Sequence, residues 1–169
     1  MNVILTGMPG AGKSTAGVLL AKTLGMSFID TDLILQTNAG MKLCDILALR
    51  GAEEFGRLEN EALLSVEADN AVIATGGSAV FCESGMAHLK SGGTVVYLDV
   101  PLPELEKRLT GIRTRGVVMK EGETLAQLLE ERLPYYERYA DVTVRESGGT
   151  EETVAAIAEA VATRREKRK

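Results

Sequence analysis

Two groups of residues in this chain have the types and spacing to do chemistry. The first is Gly7-Met8-Pro9-Gly10-Ala11-Gly12-Lys13-Ser14, which fits G-x-x-x-x-G-K-[ST], with Thr15 directly after it. Glycines let a backbone curl until successive N–H groups converge on phosphate oxygens, and a helix start adds partial positive charge. In such a loop Lys13 would reach the β- and γ-phosphates and the Ser14 hydroxyl would ligate Mg²⁺. The spacing predicts a bound nucleoside triphosphate, with Gly10, Ala11, Gly12, Lys13, Ser14 and Thr15 around its phosphates. The second group is a carboxylate pair, Asp30 and Asp32, at the end of a short apolar run. Carboxylates there can serve a metal, bind a hydroxyl or accept its proton; they can also simply cap the next helix.

Both groups need a scaffold. Short β-rich runs alternate with helical stretches. Strands are expected at Asn2–Thr6, Ser27–Asp30, Ala71–Thr75, Thr94–Asp99 and Asp141–Arg145. Helices are expected at Lys13–Leu24, at about 43–68 with Gly51 as a candidate break, at Leu102–Leu109, at Thr124–Tyr139 with a kink at Pro134, and at Glu151–Lys167. Such alternation predicts an α/β fold of three layers, a parallel sheet of about five strands with helices on both faces. Ligands in these folds lie beyond the carboxyl ends of the strands. Residues just after Thr6, Ile29, Ala74 and Leu98 should therefore face the site.

The totals suit that picture. The chain has 169 residues, 45% hydrophobic and 25% charged, which fits one domain spanning residues 1–169. No apolar run approaches the roughly 18–20 residues of a membrane helix. The opening Met1-Asn2-Val3-Ile4-Leu5 reads as a strand rather than a signal peptide, so a cytoplasmic location is expected. Net charge is −5; setting aside the basic tail from Arg164 to Lys169 leaves 14 basic against 23 acidic residues. An acidic body argues against nucleic acid as partner. Cys44, Cys82 and the single His88 match no metal spacing. No heptads appear, and a monomer is expected.

Several classes of phosphate-loop protein are excluded. The chain has no N-K-x-D for guanine, and the run at Ala71 ends in Thr75-Gly76-Gly77 rather than in D-x-x-G. No hydrophobic strand ends in Asp-Glu, as it does in many ATPases. A small-molecule kinase remains.

Beyond the loop, the chain resembles the shikimate kinase family over nearly its full length. Phe28-Ile29-Asp30-Thr31-Asp32 is similar to that family's F-x-D-x-D, and Gly51-Ala52-Glu53-Glu54-Phe55 with Glu59 to its G-E-x-x-F-R-x-x-E. Val72 to Gly77 is similar to V-I-A-T-G-G-G, Val95 to Leu98 to V-V-Y-L, and Arg132 to Tyr136 with Ala140-Asp141 to R-x-P-L-Y-x-x-x-A-D. The resemblance implies a nucleoside-monophosphate-kinase-like fold with a mobile lid at about 111–122 and an acceptor-binding helical region at about 32–62. It implies ATP and Mg²⁺, with the γ-phosphate passing to the 3-hydroxyl of shikimate in aromatic amino-acid biosynthesis. Asp30 would hold the metal through water. Asp32 would bind the hydroxyl and take its proton. Arg132 would grip the substrate carboxylate, and Gly76 and Gly77 would let the backbone approach. Arg115 in the lid would neutralise the transferring phosphoryl group, Arg108 would stack on adenine, and the loop at Ser147–Thr150 would border it.

Three positions depart from the family pattern. The arginine expected after Phe55 is Gly56, with Arg57 one residue later. The third glycine of the G-G-G is Ser78, and the lid proline is Gly116. Arg57 and Ser78 are carried as substrate-binding candidates, and Gly116 is expected to loosen the lid. The alternatives are the same transfer to another small hydroxylated acid, or a nucleotide-binding regulatory protein without transfer.

Overall fold

The computed structural model describes residues 1–109 and 116–167. Its strands are β1 (Asn2–Thr6), β2 (Ser27–Asp30), β3 (Ala71–Ala74), β4 (Gly93–Asp99) and β5 (Val142–Arg145). They form one parallel sheet in the order β2-β3-β1-β4-β5. Every residue of β1 and β3 is buried. Continuous Val/Ile/Leu runs of this kind belong to parallel strands covered on both faces. The register aligns Ile4 with Ile73 and Val95, and Asp30 with Ala74. Gly7, Asp30 and Thr75 therefore leave the sheet along one edge.

The helices are α1 (Lys13–Leu24), α2 (Thr31–Ala39), α3 (Leu43–Leu64), α4 (Glu83–Ser91), α5 (Leu102–Arg108), α6 (Leu125–Tyr139) and α7 (Thr150–Lys167). Helix α1 packs on α7, while α3 packs on α2 and α4. Among the described residues, no helix is long and apolar enough to cross a membrane.

Two apolar clusters result. The larger runs through β1, β3 and β4 to α1, α4, α6 and α7. The smaller consists of Leu35, Ile46, Phe55 and Ala62, with Leu43 and Val118 against it. It lies under the α2–α3 region, apart from the main core.

Sequence and structure differ in two stretches. Helix α3 stops at Leu64, short of Ala68, and Gly51 (φ 79°, ψ 172°) breaks its helical path. The segment 79–91, for which no element was expected, holds a 3₁₀ turn at Ala79–Phe81 and all of α4.

Candidate active site

The phosphate loop fills the turn from β1 into α1. Gly10 (φ 78°) and Gly12 (φ 80°) take the left-handed conformation, and Gly12 caps α1 without any side-chain hydrogen bond. The first N–H groups of α1 are left to a ligand. Lys13 is buried, and its Nζ donates to the carbonyls of Gly7 and Met8 at 2.8 Å each. Burial pulls its ammonium down to about 8, against the attraction of Asp32. A phosphate arriving here restores the charged form. Gly10, Gly12, Ser14 and Thr15 line the same cavity as Lys13; Ala11 does not, and its N–H is spent on Met8 O at 3.1 Å.

Asp30 does two things at once. Its Oδ1 accepts the backbone N–H of Asp32 at 3.0 Å, capping α2, and its Oδ2 accepts the Ser14 hydroxyl at 2.6 Å. The capping and the functional readings of this residue are therefore compatible. A hydroxyl and a carboxylate oxygen brought together beside the phosphate loop are the hard donors Mg²⁺ takes. Among the described residues, no cluster of three or more His, Cys, Asp or Glu forms an all-protein metal cage. An ion at Ser14 and Asp30 would thus share its remaining positions with phosphate and water, and the residues present fit that arrangement.

Asp32 lines the cavity beside Lys13. Burial pushes its carboxyl up to about 6; Asp30 adds to the shift and Lys13 opposes it. Gly76 and Gly77 form the wall next to Asp32. A Cβ on Gly76 would collide with Glu59 Oε1 and stand 2.8 Å from Asp32 Oδ1; one on Gly77 would stand 2.7 Å from Pro9 Cδ and 3.1 Å from Arg132 Nη1. Only glycine lets the chain pass between these groups. The Tyr136 hydroxyl pins the turn by donating to Gly77 O at 2.6 Å.

Arg132 is 1% exposed, not a solvated helix arginine. Its Nη2 donates to Val118 O at 2.6 Å, its guanidinium lies 5.6 Å from the centroid of the Phe81 ring, and its Nε has no partner among the described residues. Glu131, next to it, instead pairs outward with Lys120 at 3.1 Å. Lys13, Asp32 and Arg132 thus meet in one cavity of about 260 Å³.

Not every expected residue reaches it. Arg57 does not line the cavity: its guanidinium lies on the outer face of α3, held by Glu54 at 2.7 Å and by Glu61. One residue along a helix turns a side chain by about 100°, and the backbone makes no local shift that undoes this. Gly116 is not a loose hinge either. It is buried at φ 70°, and a Cβ there would strike Leu43 and stand 2.9 Å from the Cys44 nitrogen. The glycine permits close packing on the start of α3. Ser78 lines the cavity, but its hydroxyl is committed to Glu59 Oε2 at 2.7 Å. Arg108 lies beside the loop, 3.8 Å from where a Gly12 Cβ would be. It pairs with Glu146 at 2.8 Å and Glu104 at 3.1 Å and borders a hollow shared with Ser147 and Gly148. Arg115 lies outside the described residues.

Comparison with known proteins bears on this constellation. The sequence model of the shikimate kinase family matches residues 9–162. The chain belongs to the shikimate kinase family. A shikimate kinase of Moorella thermoacetica is 39% identical over 157 residues, covering 91% of this chain and 90% of that one. Among solved structures, shikimate kinase from Acinetobacter baumannii in complex with shikimate superposes with a TM-score of 0.88 at 30% identity, covering 96% and 93% of the two chains. The human protein named threonine synthase-like 1 is 40% identical over 157 residues; the match covers 91% of this chain but 21% of that protein.

Within this shikimate kinase fold, the sequence had singled out no role for Glu59, which is 3% exposed and lines the cavity. Burial pushes its carboxyl up to about 7; the Ser78 hydrogen bond and Arg132 oppose the shift and Asp32 adds to it. A glutamate in phase with Phe55 and Ala62, on the apolar side of α3, was the available signal. Tyr136 and Val118 were missed because a hydroxyl on a backbone carbonyl and a carbonyl on an arginine leave no mark in residue spacing.

Proposed function

We propose that the protein transfers the γ-phosphate of ATP to the 3-hydroxyl of shikimate. The observation that carries this reading is the meeting of Lys13, Asp32 and Arg132 in one cavity, in a chain of the shikimate kinase family. The phosphate loop takes the triphosphate, and Lys13 trades its two backbone carbonyls for phosphate oxygens. Ser14 and Asp30 would hold Mg²⁺, which would supply positive charge against the phosphates. Arg132 grips the acceptor carboxylate through paired N–H groups. Gly76 and Gly77 bring the backbone against the ring, and Asp32 orients the hydroxyl and takes its proton as it attacks in line. Arg115 completes the charge around the phosphoryl group. Arg108 and the loop at 147–150 flank adenine, and the segment 111–122 covers the nucleotide and excludes water. The reading is of a cytoplasmic, monomeric, single-domain enzyme acting on small molecules.

A second reading keeps the chemistry and changes the acceptor. It is favoured by Gly56 and by the displacement of Arg57 to the outer face of α3. ADP release with ATP, Mg²⁺ and a panel of hydroxy acids separates the two. Shikimate-dependent turnover is expected. Turnover only with another acid moves the assignment to the second reading, and tight ATP binding without turnover on any acceptor would leave a nucleotide-binding regulatory protein.

A further inference from the structure

Glu59 is the buried ionisable group at the acceptor end that the reaction above does not use. Its Oε2 takes the Ser78 hydroxyl, while its Oε1 has no partner among the described residues although it is fully enclosed. That oxygen abuts Gly76, on the same side as Asp32 Oδ1. Glu59 also borders a second hollow, of about 630 Å³, lined by Gly56, Asn60, Phe81 and Cys82. A Cβ on Gly56 would meet nothing within 4 Å, and no Lys or Arg among the described residues lines this hollow to neutralise the carboxylate. The nearest arginine on the helix, Arg57, is engaged elsewhere.

Charge then decides what the site recognises. The charged groups around Glu59 are Asp32, Arg132 and Lys13. A simple hydroxy acid brings one negative charge, which Arg132 balances, and Lys13 is committed to the triphosphate. Glu59 is left facing Asp32, its ionised form opposed by burial and by that neighbour once Arg132 and Lys13 are engaged by ligands. A neutral hydroxyl could satisfy the hydrogen-bonding capacity of Oε1 but not its charge. An ammonium group satisfies both, through a charge-assisted hydrogen bond.

We propose that this site also phosphorylates the side-chain hydroxyl of a small hydroxylated amino acid, with its carboxylate on Arg132, its hydroxyl on Asp32 and its ammonium against the Glu59 carboxylate, which turns toward it when it binds. The inference rests on the phosphotransfer reading of the same site. The hydroxyl oxygen forms the new bond to the γ-phosphorus as the bond to the β-bridging oxygen breaks. The hydroxyl proton passes to Asp32, and ADP leaves.

The test is ADP release by the full chain with Mg²⁺ and ATP, using L-serine and L-homoserine against 3-hydroxypropionate and 4-hydroxybutyrate, which lack only the amino group. At least one amino acid should exceed its counterpart in kcat/KM by about tenfold or more, the equivalent of one charge-assisted contact. In Glu59→Gln that ratio should fall to within about threefold. Gly56→Arg, whose side chain enters the hollow that Glu59 borders, should erase the ratio in the same way; melting temperatures of both variants check that they fold. Absence of turnover with either amino acid overturns the inference, as does a ratio that survives in both folded variants. Shikimate in the same plates keeps the two readings apart: its turnover with the amino acids silent sinks only this inference, and silence on every acceptor sinks both.

Discussion

The two ends of the cavity are built on opposite plans. At the phosphate end the first N–H groups of α1 are open to a ligand, but both polar side chains already have partners of the kind the ligand will replace. Lys13 rests on the carbonyls of Gly7 and Met8, and Ser14 on Asp30. At the acceptor end, Glu59 Oε1 and Arg132 Nε have none among the described residues, and a carboxylate and a guanidinium are both buried. The first end exchanges hydrogen bonds when its ligand arrives, so its geometry can be rigid and general. The second holds uncompensated groups whose satisfaction depends on the ligand's shape and charge. On the proposed reading, binding energy at the first end is tied to the nucleotide, and discrimination lies at the second.

Substitutions can break or sharpen that contrast. Lys13→Ala should have the largest effect, lowering kcat by about a thousandfold or more, because Lys13 is the cation built into the phosphate loop itself. Steady-state turnover near the wild-type value would remove the loop from the mechanism. Arg132→Lys keeps the charge but loses the planar pair of donors. Acceptor KM should rise by roughly a hundredfold while the KM for ATP changes little; equal changes in both would mean the ends are not separate.

Glu59→Gln addresses the cost of the buried carboxylate. Because burial raises this carboxyl from 4.5 to about 7, the folded state holds the proton more tightly than the unfolded chain. The stability contributed by the protonated form is complete below about pH 4.5 and is lost as pH rises through about 7. The glutamine variant should therefore gain on the wild type across that window, by up to about 3 kcal/mol. Melting curves at pH 5 and pH 8 should show the gap widening by several degrees, and parallel curves would mean Glu59 is not desolvated. Arg57→Ala should do least. Its ion pairs are exposed, and acceptor KM and kcat should stay within about twofold; a clear rise in KM would return Arg57 to the acceptor end.

The phosphate end was the more legible in sequence for the same reason. Its function lies in backbone conformation, and Gly10, Gly12 and Lys13 encode that locally. β1, α1 and β2 were legible end to end because their patterns are continuous and their stops, Gly25 and Asp30, are local too. Helix α4 was not. Gly85 in its middle reads as a breaker, yet it is there because a Cβ would stand 2.7 Å from the Leu63 Cβ on α3. That requirement comes from a neighbour distant in sequence. Arg57 misled in a similar way, since residue type and approximate position survive a one-residue displacement while direction does not. Asp30, Asp32 and Arg132 could be named as candidates because the family pattern preserves their spacing, whereas the burial of Arg132 appears only in the fold.

The small apolar cluster of Leu35, Ile46, Phe55 and Ala62 has a consequence for motion. The part of α2 and α3 around this cluster, interrupted at Gly51, rests on few side chains and can open at lower cost than the sheet. Amide protons of α2 and α3 should then exchange with solvent faster than those of β1 and β3, and acceptor binding should slow them selectively. With Val118 packed on that cluster and its carbonyl on Arg132, the arginine acts as a latch. Local melting at the acceptor end would free Val118 from both contacts, so occupancy of the acceptor pocket would set how often the chain around Val118 opens.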